Sequence, residues 1–346
     1  MSLIKLERYL KKIKIPFKKG EFMSFHTTLR VGGPCDYYVE VEKKVDLENL
    51  YRFCICENIP VFILGGGSNI LVGDKGIRGL VIKNRALGYK ITQRKKVSIK
   101  KTDTPRKQET HWKKGFLEFR DIDYIEKTTN GVVLEVNSGT NLSYLITKSL
   151  ADGFCGLQWF AGIPGTVGGA IWNNIHGADW FFGDFLETVR FIDSTGSAKT
   201  LSKKNLGLKY NKSFFQDNSK LILSAVLNLI VGDTKKAKFT AEEWKKRKRI
   251  QPRNSAGSTF SNISEKEAKK AGLENLSAGY IIDVVLNLKG VKVGKAQVSS
   301  THANFIETFP GAKASDVISL CTMLKQKAKE KLGITLNEEI IRIGEF

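Results

Sequence analysis

Two glycine-rich loops constrain this chain more than any other feature. The first is Gly65-Gly66-Gly67-Ser68-Asn69, directly after the apolar run Val61-Phe62-Ile63-Leu64, which reads as a strand. The second is Gly162-Ile163-Pro164-Gly165-Thr166-Val167-Gly168-Gly169. Glycine lets a backbone approach a ligand closely, and successive N–H groups form a concavity that binds anions. Ser68 and Asn69 add side-chain hydrogen-bonding groups. Each loop alone reads equally well as a tight turn or as a phosphate cradle. Together they can hold the two halves of a dinucleotide. Neither ends in the Gly-Lys-Ser/Thr of a P-loop. Neither has the GxGxxG spacing with a following helix and a downstream acid, so a nicotinamide-binding Rossmann domain is not supported.

The surrounding pattern is mixed α and β. Leu3, Leu6, Leu10 and Ile13 recur at helical spacing, which predicts a short amphipathic helix. Strands are predicted over residues 37–41, 61–64, 80–83, 132–136, 189–192 and 221–229, and helices over 45–57 and 142–150. Residues 89–116 are polar and basic, lack sustained periodicity and contain Pro105, so a surface hairpin or mobile loop is expected. A charged helix closed by Pro252 marks a boundary near residues 232–252. Beyond it the pattern predicts helices over 264–271 and 314–332, with strand-like runs at 291–299 and 338–344. At 346 residues the chain is long enough for two or three domains.

The net charge of +21 is unusual and its lysines and arginines cluster near residues 11–19, 94–101 and 235–249. Such a field attracts anions, but nucleic acid, a phosphorylated cofactor and an acidic nucleotide sugar all qualify. The five cysteines are odd in number, form no CxxC pair and have no histidine or cysteine ligand group beside them. They read as reduced cytosolic thiols, with neither a disulfide framework nor a metal site. No run is long and apolar enough for a signal peptide or a membrane span, so a cytoplasmic protein with no membrane partner is expected.

The loops become specific when read with their neighbours. His26-Thr27-Thr28-Leu29-Arg30-Val31-Gly32-Gly33-Pro34, then the two glycine loops, resemble the FAD-binding part of the UDP-N-acetylenolpyruvoylglucosamine reductases of peptidoglycan synthesis. The C-terminal third resembles the same family through Ser255-Ala256-Gly257-Ser258-Thr259-Phe260, Ser277-Ala278-Gly279-Tyr280, the run from Gly294 through Gln297 and Asn304 to Ile306, and the ending Glu339 to Phe346. Several blocks in order, from about Phe25 to the end, are far more specific than any one of them.

The resemblance implies an α+β protein: a two-subdomain FAD-binding (PCMH-type) module plus a C-terminal α+β substrate-binding domain. The corresponding ranges are 1–90, a basic inserted loop at 91–114, 115–231, and 232–346. It implies FAD and NADPH as cofactors, a nucleotide-sugar substrate and a monomer that does not engage nucleic acid. NADPH reduces the flavin, and the enolpyruvyl group of UDP-N-acetylglucosamine enolpyruvate then accepts the hydride. Protonation of the resulting enolate is assigned by the resemblance to Ser258, with Glu339 beside it. FAD contacts are implied for Thr28, Arg30, Gly65, Gly66, Gly67, Ser68, Asn69, Gly162, Ile163, Pro164, Gly165, Thr166, Gly168, Gly169 and Asn174. Substrate contacts are implied for Tyr210, Asn211, Gln297 and Asn304.

The chain departs from the family at Tyr210-Asn211-Lys212-Ser213, where the family has Tyr-Arg-x-Ser. Asn211 stands in the arginine position, and Lys212, one residue on, is the candidate replacement cation. Lysine supplies a point charge rather than the planar fork that grips a carboxylate. Trp172-Asn173-Asn174-Ile175-His176 also departs from the family pattern, though Asn174 is kept. Glu338 is expected to be a solvated strand-edge charge, because alternation sends it to the face opposite Glu339. Two other classes compete. A flavin oxidase would tether its flavin through Cys155 or His176, which flank the second loop. A nucleic-acid binder would use Trp112 and Phe116 among the lysines of the insertion.

Overall fold

The structure is a computed structural model that describes residues 2–100, 126, 129–217 and 220–346. Helix α1 (Ser2–Lys12) buries Leu6 and Leu10 completely, as their spacing predicts, and its Tyr9 stacks on Phe53 of α2 (Lys44–Cys56) with ring centroids 3.9 Å apart. Strands β1 (Phe17–Phe22), β2 (Pro34–Val41), β3 (Val61–Leu64) and β5 (Ile77–Asn84) form a sheet of order β1-β2-β5-β3, and β4 (Ile70–Val72) lies outside it.

A second, antiparallel sheet has the order β12-β11-β13-β7-β6, with β8 (Phe154–Cys155) paired to β13. Its members are β6 (Tyr89–Lys96), β7 (Asn130–Asn137), β11 (Leu186–Ile192), β12 (Ala198–Ser202) and β13 (Leu221–Val231). Between them run α3 (Leu142–Ala151), α4 (Val167–Trp172) and the two-stranded ribbon of β9 (His176–Gly177) and β10 (Trp180–Phe181). Strand β6 corrects the expected loop. Residues 91–96 pair with β7 from Ile91↔Leu134 to Lys96↔Asn130. Almost every side chain of β6 is exposed, so no buried face imposes a period of two. Lysines on a sheet edge are the usual guard against edge-to-edge pairing, which explains why a strand can look like a basic loop. The rest of that segment, residues 101–114, lies outside the described residues, as do Trp112 and Phe116.

The chain divides into two compact units, and neither follows the consecutive ranges expected. The first comprises Met1–Phe17, Val39–Gly66 and Val81–Arg249; the second comprises Lys18–Tyr38, Gly67–Leu80 and Ile250–Phe346. The first unit's core is built on the inward residues of β7 and β13, among them Leu134, Val136, Leu227 and Leu229, packed against Phe160, Phe182 and Phe185. Helix α5 (Thr234–Arg249), expected at the start of the C-terminal domain, belongs to this unit.

The second unit's core gathers Leu29, Val31 and Leu71 with Phe260, Ile281, Val298, Val317, Leu320 and Leu324. It holds α6 (Glu265–Lys270), the sheet β14 (Lys292–Val293), β15 (Ala296–Val298) and β16 (Ile306–Thr308), helix α7 (Ala314–Leu332), and β17 (Ile341–Ile343). Two long-range ties join its segments. β17 pairs in parallel with β4, Ile341 opposite Ile70 and Ile343 opposite Val72. The Asp74 carboxylate accepts from the N–H groups of Ala314 (2.7 Å) and Ser315 (3.0 Å), closing the start of α7 where backbone donors lack helical partners.

Candidate active site

In the first unit the two glycine loops meet. A Cβ on Gly65 would stand 2.8 Å from Thr166 Oγ1, so a side chain there would have to push the Thr166 hydroxyl aside. Lys83 of β5, the strand beside β3, donates to the Gly65 carbonyl at 2.6 Å. The second loop rests on the turn Asn137-Ser138-Gly139-Thr140. Leu142 N–H donates to Gly165 O (3.0 Å), Val167 N–H to Thr140 O (2.9 Å) and Gly168 N–H to Ser138 O (2.8 Å), while Ile163 N–H donates to Phe160 O (3.1 Å). Ser138 Oγ in turn accepts from Asn84 Nδ2 at 2.9 Å. The N–H groups of Ile163 and Gly168, expected to meet a ligand, therefore fix the loop's own shape. Thr166 caps α4 by accepting from Gly169 N–H at 3.4 Å. The supporting turn was missed from the sequence, although Asn-Ser-Gly-Thr between a strand and a helix is a recognisable turn signal.

Asn174 is tied into the protein by its side-chain amide. It is 2% exposed, with Nδ2 donating to Lys209 O and Oδ1 accepting from Gly183 N–H, both at 2.9 Å. Its amide is engaged with backbone, which makes it a support for the neighbouring turn. In that turn Lys209 and Lys212 exchange backbone hydrogen bonds of 3.0 and 3.1 Å, with Tyr210 and Asn211 at the tip. Asn211 is left-handed (φ 49°), a conformation asparagine tolerates far better than arginine does. Ser213 Oγ donates to Trp172 O at 2.6 Å, Gln216 Nε2 donates to Asn211 O at 2.8 Å, and the Tyr210 ring lies 4.9 Å from that of His176. Lys212 is exposed.

In the second unit the segment that carries Glu339 lies against the loop that carries Ser258. Glu339 N–H donates to Thr259 O at 2.9 Å, and Ser261 N–H donates to Asn337 O at 2.9 Å, so the segment before β17 is zipped onto the loop that carries Ser258. Asn69 joins them: its Nδ2 donates to Glu339 O (3.3 Å) and its carbonyl accepts from Ile341 N–H (3.0 Å). Gly67, with φ +69°, accepts from Thr28 N–H at 3.0 Å. Arg30 is exposed, between the buried Leu29 and Val31. Asn304, expected to touch substrate, grips Phe260. Its Oδ1 accepts from the Phe260 N–H (3.0 Å), its Nδ2 donates to the Phe260 carbonyl (2.8 Å), and its own carbonyl accepts from Thr259 N–H (2.7 Å). Gln297 Nε2 donates to Gly290 O at 3.1 Å.

Glu338 is no solvated bystander. Arg342 donates to it twice (2.7 and 2.9 Å), Lys325 lies 2.6 Å away, and only 14% of its side chain is exposed. Burial pushes its carboxyl pKa up, but the hydrogen bonds from Arg342 and Lys325 outweigh that and hold it below the ordinary value. Cys155 is fully buried, and burial drives its thiol up to about 12, so it lacks the thiolate that a covalent flavin link would require. Among the described residues no three His, Cys, Asp or Glu side chains group to hold a metal ion, and no helix is long and apolar enough to cross a membrane.

An FAD binding domain model matches residues 116–202, and the model of the UDP-N-acetylenolpyruvoylglucosamine reductase C-terminal domain matches residues 250–343. The chain is thus a flavin-dependent oxidoreductase, an FAD-binding module joined to a reductase-specific C-terminal part. The chain belongs to the UDP-N-acetylenolpyruvoylglucosamine reductase family. It is 32% identical to the enzyme of that name from Clostridium novyi over 99% of this chain and 96% of the relative, and 31% identical to that of Protochlamydia amoebophila over 96% of both. The crystal structure of the Thermus caldophilus reductase aligns with a TM-score of 0.68 at 26% identity, covering 95% of this chain and 99% of the other. The α+β fold and the flavoprotein class implied by the sequence motifs are those found.

Proposed function

We propose that the chain reduces UDP-N-acetylglucosamine enolpyruvate to UDP-N-acetylmuramate with NADPH as hydride donor. The observation that carries this reading is the backbone zipper from Glu339 N–H to Thr259 O, which holds Glu339 in register with the Ser258 loop. The glycine loops suit FAD: Gly65 leaves room for the Thr166 hydroxyl beside it, and Thr166, Ser68 and Asn69 add polar groups. When bound, FAD supplies the two-electron hydride transfer that none of the twenty side chains can perform.

The chain's own residues then have distinct tasks. Gly65 to Asn69 and the loop containing Gly162, Pro164, Gly165 and Thr166 hold the cofactor. Ser258 delivers a proton to C2 of the enolate, and Glu339 orients that hydroxyl or hydrogen-bonds the substrate carboxyl. Asn304, Asn174 and Ser138 act through backbone, keeping the reacting loops in place. Tyr210 and Lys212 sit on the turn that replaces the family's arginine, and Gln297 is assigned to the substrate side. The chain is proposed to act as a cytoplasmic monomer on a soluble nucleotide sugar and without nucleic acid.

Anaerobic titration tests this. NADPH should bleach the protein-bound flavin, and the enolpyruvyl nucleotide sugar should restore its colour. Bleaching without substrate-dependent reoxidation would reject the substrate. Denaturation should release FAD; yellow colour remaining on the chain would instead support a covalent flavin oxidase.

A further inference from the structure

Lys83 is a cation at the place where the two glycine loops meet, and among the described residues it makes no ion pair. It is half-buried near the end of β5, and its ammonium donates at 2.6 Å to the carbonyl of Gly65, the residue whose missing side chain lets Thr166 approach. Among the described residues no carboxylate forms an ion pair with it. The acid that acts on it electrostatically, Glu40, is already paired with Arg85, and Arg85 itself repels Lys83. Burial and Arg85 together push the Lys83 pKa down.

We propose that Lys83 is a phosphate ligand of the cofactor, with its ammonium shared between the Gly65 carbonyl and the pyrophosphate of FAD. Lysine has three donors, and the bond to Gly65 uses one of them. A compact ammonium suits a phosphate oxygen as a point charge, and an anion beside a half-buried ammonium offsets the cost of its burial. The same bond to Gly65 keeps the loop's carbonyl turned toward Lys83, away from an incoming anion that it would repel. The inference rests on the flavin reading of the loops.

The test is flavin binding by the 346-residue chain stripped of cofactor, followed by fluorescence quenching. Lys83→Met should raise the FAD dissociation constant by about ten- to a hundredfold, the weight of one charge-assisted hydrogen bond. The dependence of FAD affinity on salt should become shallower, because one screened charge pair is lost. Affinity for riboflavin, which has no phosphate, should be unchanged, and the flavin-free melting temperature should stay the same or rise. Lys83→Arg should retain most of the FAD affinity.

Equal weakening of FAD and riboflavin with a lowered melting temperature would reduce Lys83 to a loop prop. Unchanged FAD affinity in Lys83→Met would overturn the proposal outright. A wild-type chain that binds no FAD would overturn the flavin reading, and this inference with it.

Discussion

The side-chain amide of Asn304 brackets the backbone of Phe260, accepting from its N–H at 3.0 Å and donating to its carbonyl at 2.8 Å. Asn304 is buried, so truncation strands two backbone groups away from water. Asn304→Ala should cost about 1–3 kcal/mol in a urea titration. Because the freed segment carries Ser258, substrate reduction should slow more than flavin reduction by NADPH. Equal slowing of both half-reactions would assign Asn304 to the fold alone.

Gly67 and Gly65 are intolerant for different reasons. Gly67 combines φ +69° with a Cβ position 2.1 Å from the His26 carbonyl oxygen, a backbone atom that cannot swing away. Gly67→Ala should therefore destabilise by about 2 kcal/mol or more and lose FAD. Gly65→Ala meets only the Thr166 hydroxyl. It should lower flavin occupancy with a smaller loss of stability, measured as the ratio of flavin to protein absorbance after gel filtration.

Glu338 provides a pH signature. Its folded pKa is depressed below the ordinary 4.5, so its stabilising contribution is present above that value and is lost as pH falls through the folded pKa. Glu338→Gln should cost about 1–2 kcal/mol at neutral pH, a small figure because Arg342 and Lys325 are more than a third exposed. As pH falls from about 4.5 through the depressed folded pKa, the variant and the parent should converge in stability. A constant difference from pH 7 to pH 3 would show that the carboxylate's charge plays no part.

Much of this architecture was legible because its signals are local. Helix α7 begins and ends where the apolar spacing of residues 314–332 predicts, and β3 occupies the apolar run before the first glycine loop. What stayed hidden depends on partners distant in sequence. Asn304 and Phe260 are 44 residues apart, and nothing in either neighbourhood announces the bond between them. The pairing of β17 with β4 gathers residues from both ends of the chain into one unit, which a search for consecutive domains cannot see. Helix α4 was concealed by its own glycines, which favour coil until Thr166 caps them and Ala170 and Ile171 are buried.

Ser258 and Glu339 should share a kinetic phenotype. Ser258→Ala should leave flavin reduction nearly intact and slow substrate reduction by about a hundredfold to ten-thousandfold, the usual range for losing a general acid. Glu339→Gln should slow the same step. Stopped-flow traces of the two half-reactions separate these effects, since steady-state rates blend them. A Ser258→Ala enzyme that reoxidises at the parental rate would move the proton donor elsewhere.

The turn at Tyr210 to Ser213 offers the sharpest comparison with the family. The sequence resemblance sets Asn211 in the arginine position, and its left-handed φ of 49° suits asparagine. Asn211→Arg should therefore cost about 1 kcal/mol in stability while adding a charge that can grip a carboxylate bidentately. If Lys212 supplies the missing cation, Lys212→Ala should slow substrate reduction and leave flavin reduction unchanged, and Asn211→Arg should restore the rate in that background. The backbone bonds between Lys209 and Lys212 do not involve the lysine side chain, so Lys212→Ala should leave the turn intact and the melting temperature unmoved. A parental rate in Lys212→Ala would make Lys212 a surface charge. The positive group facing the enolate would then have to come from another residue.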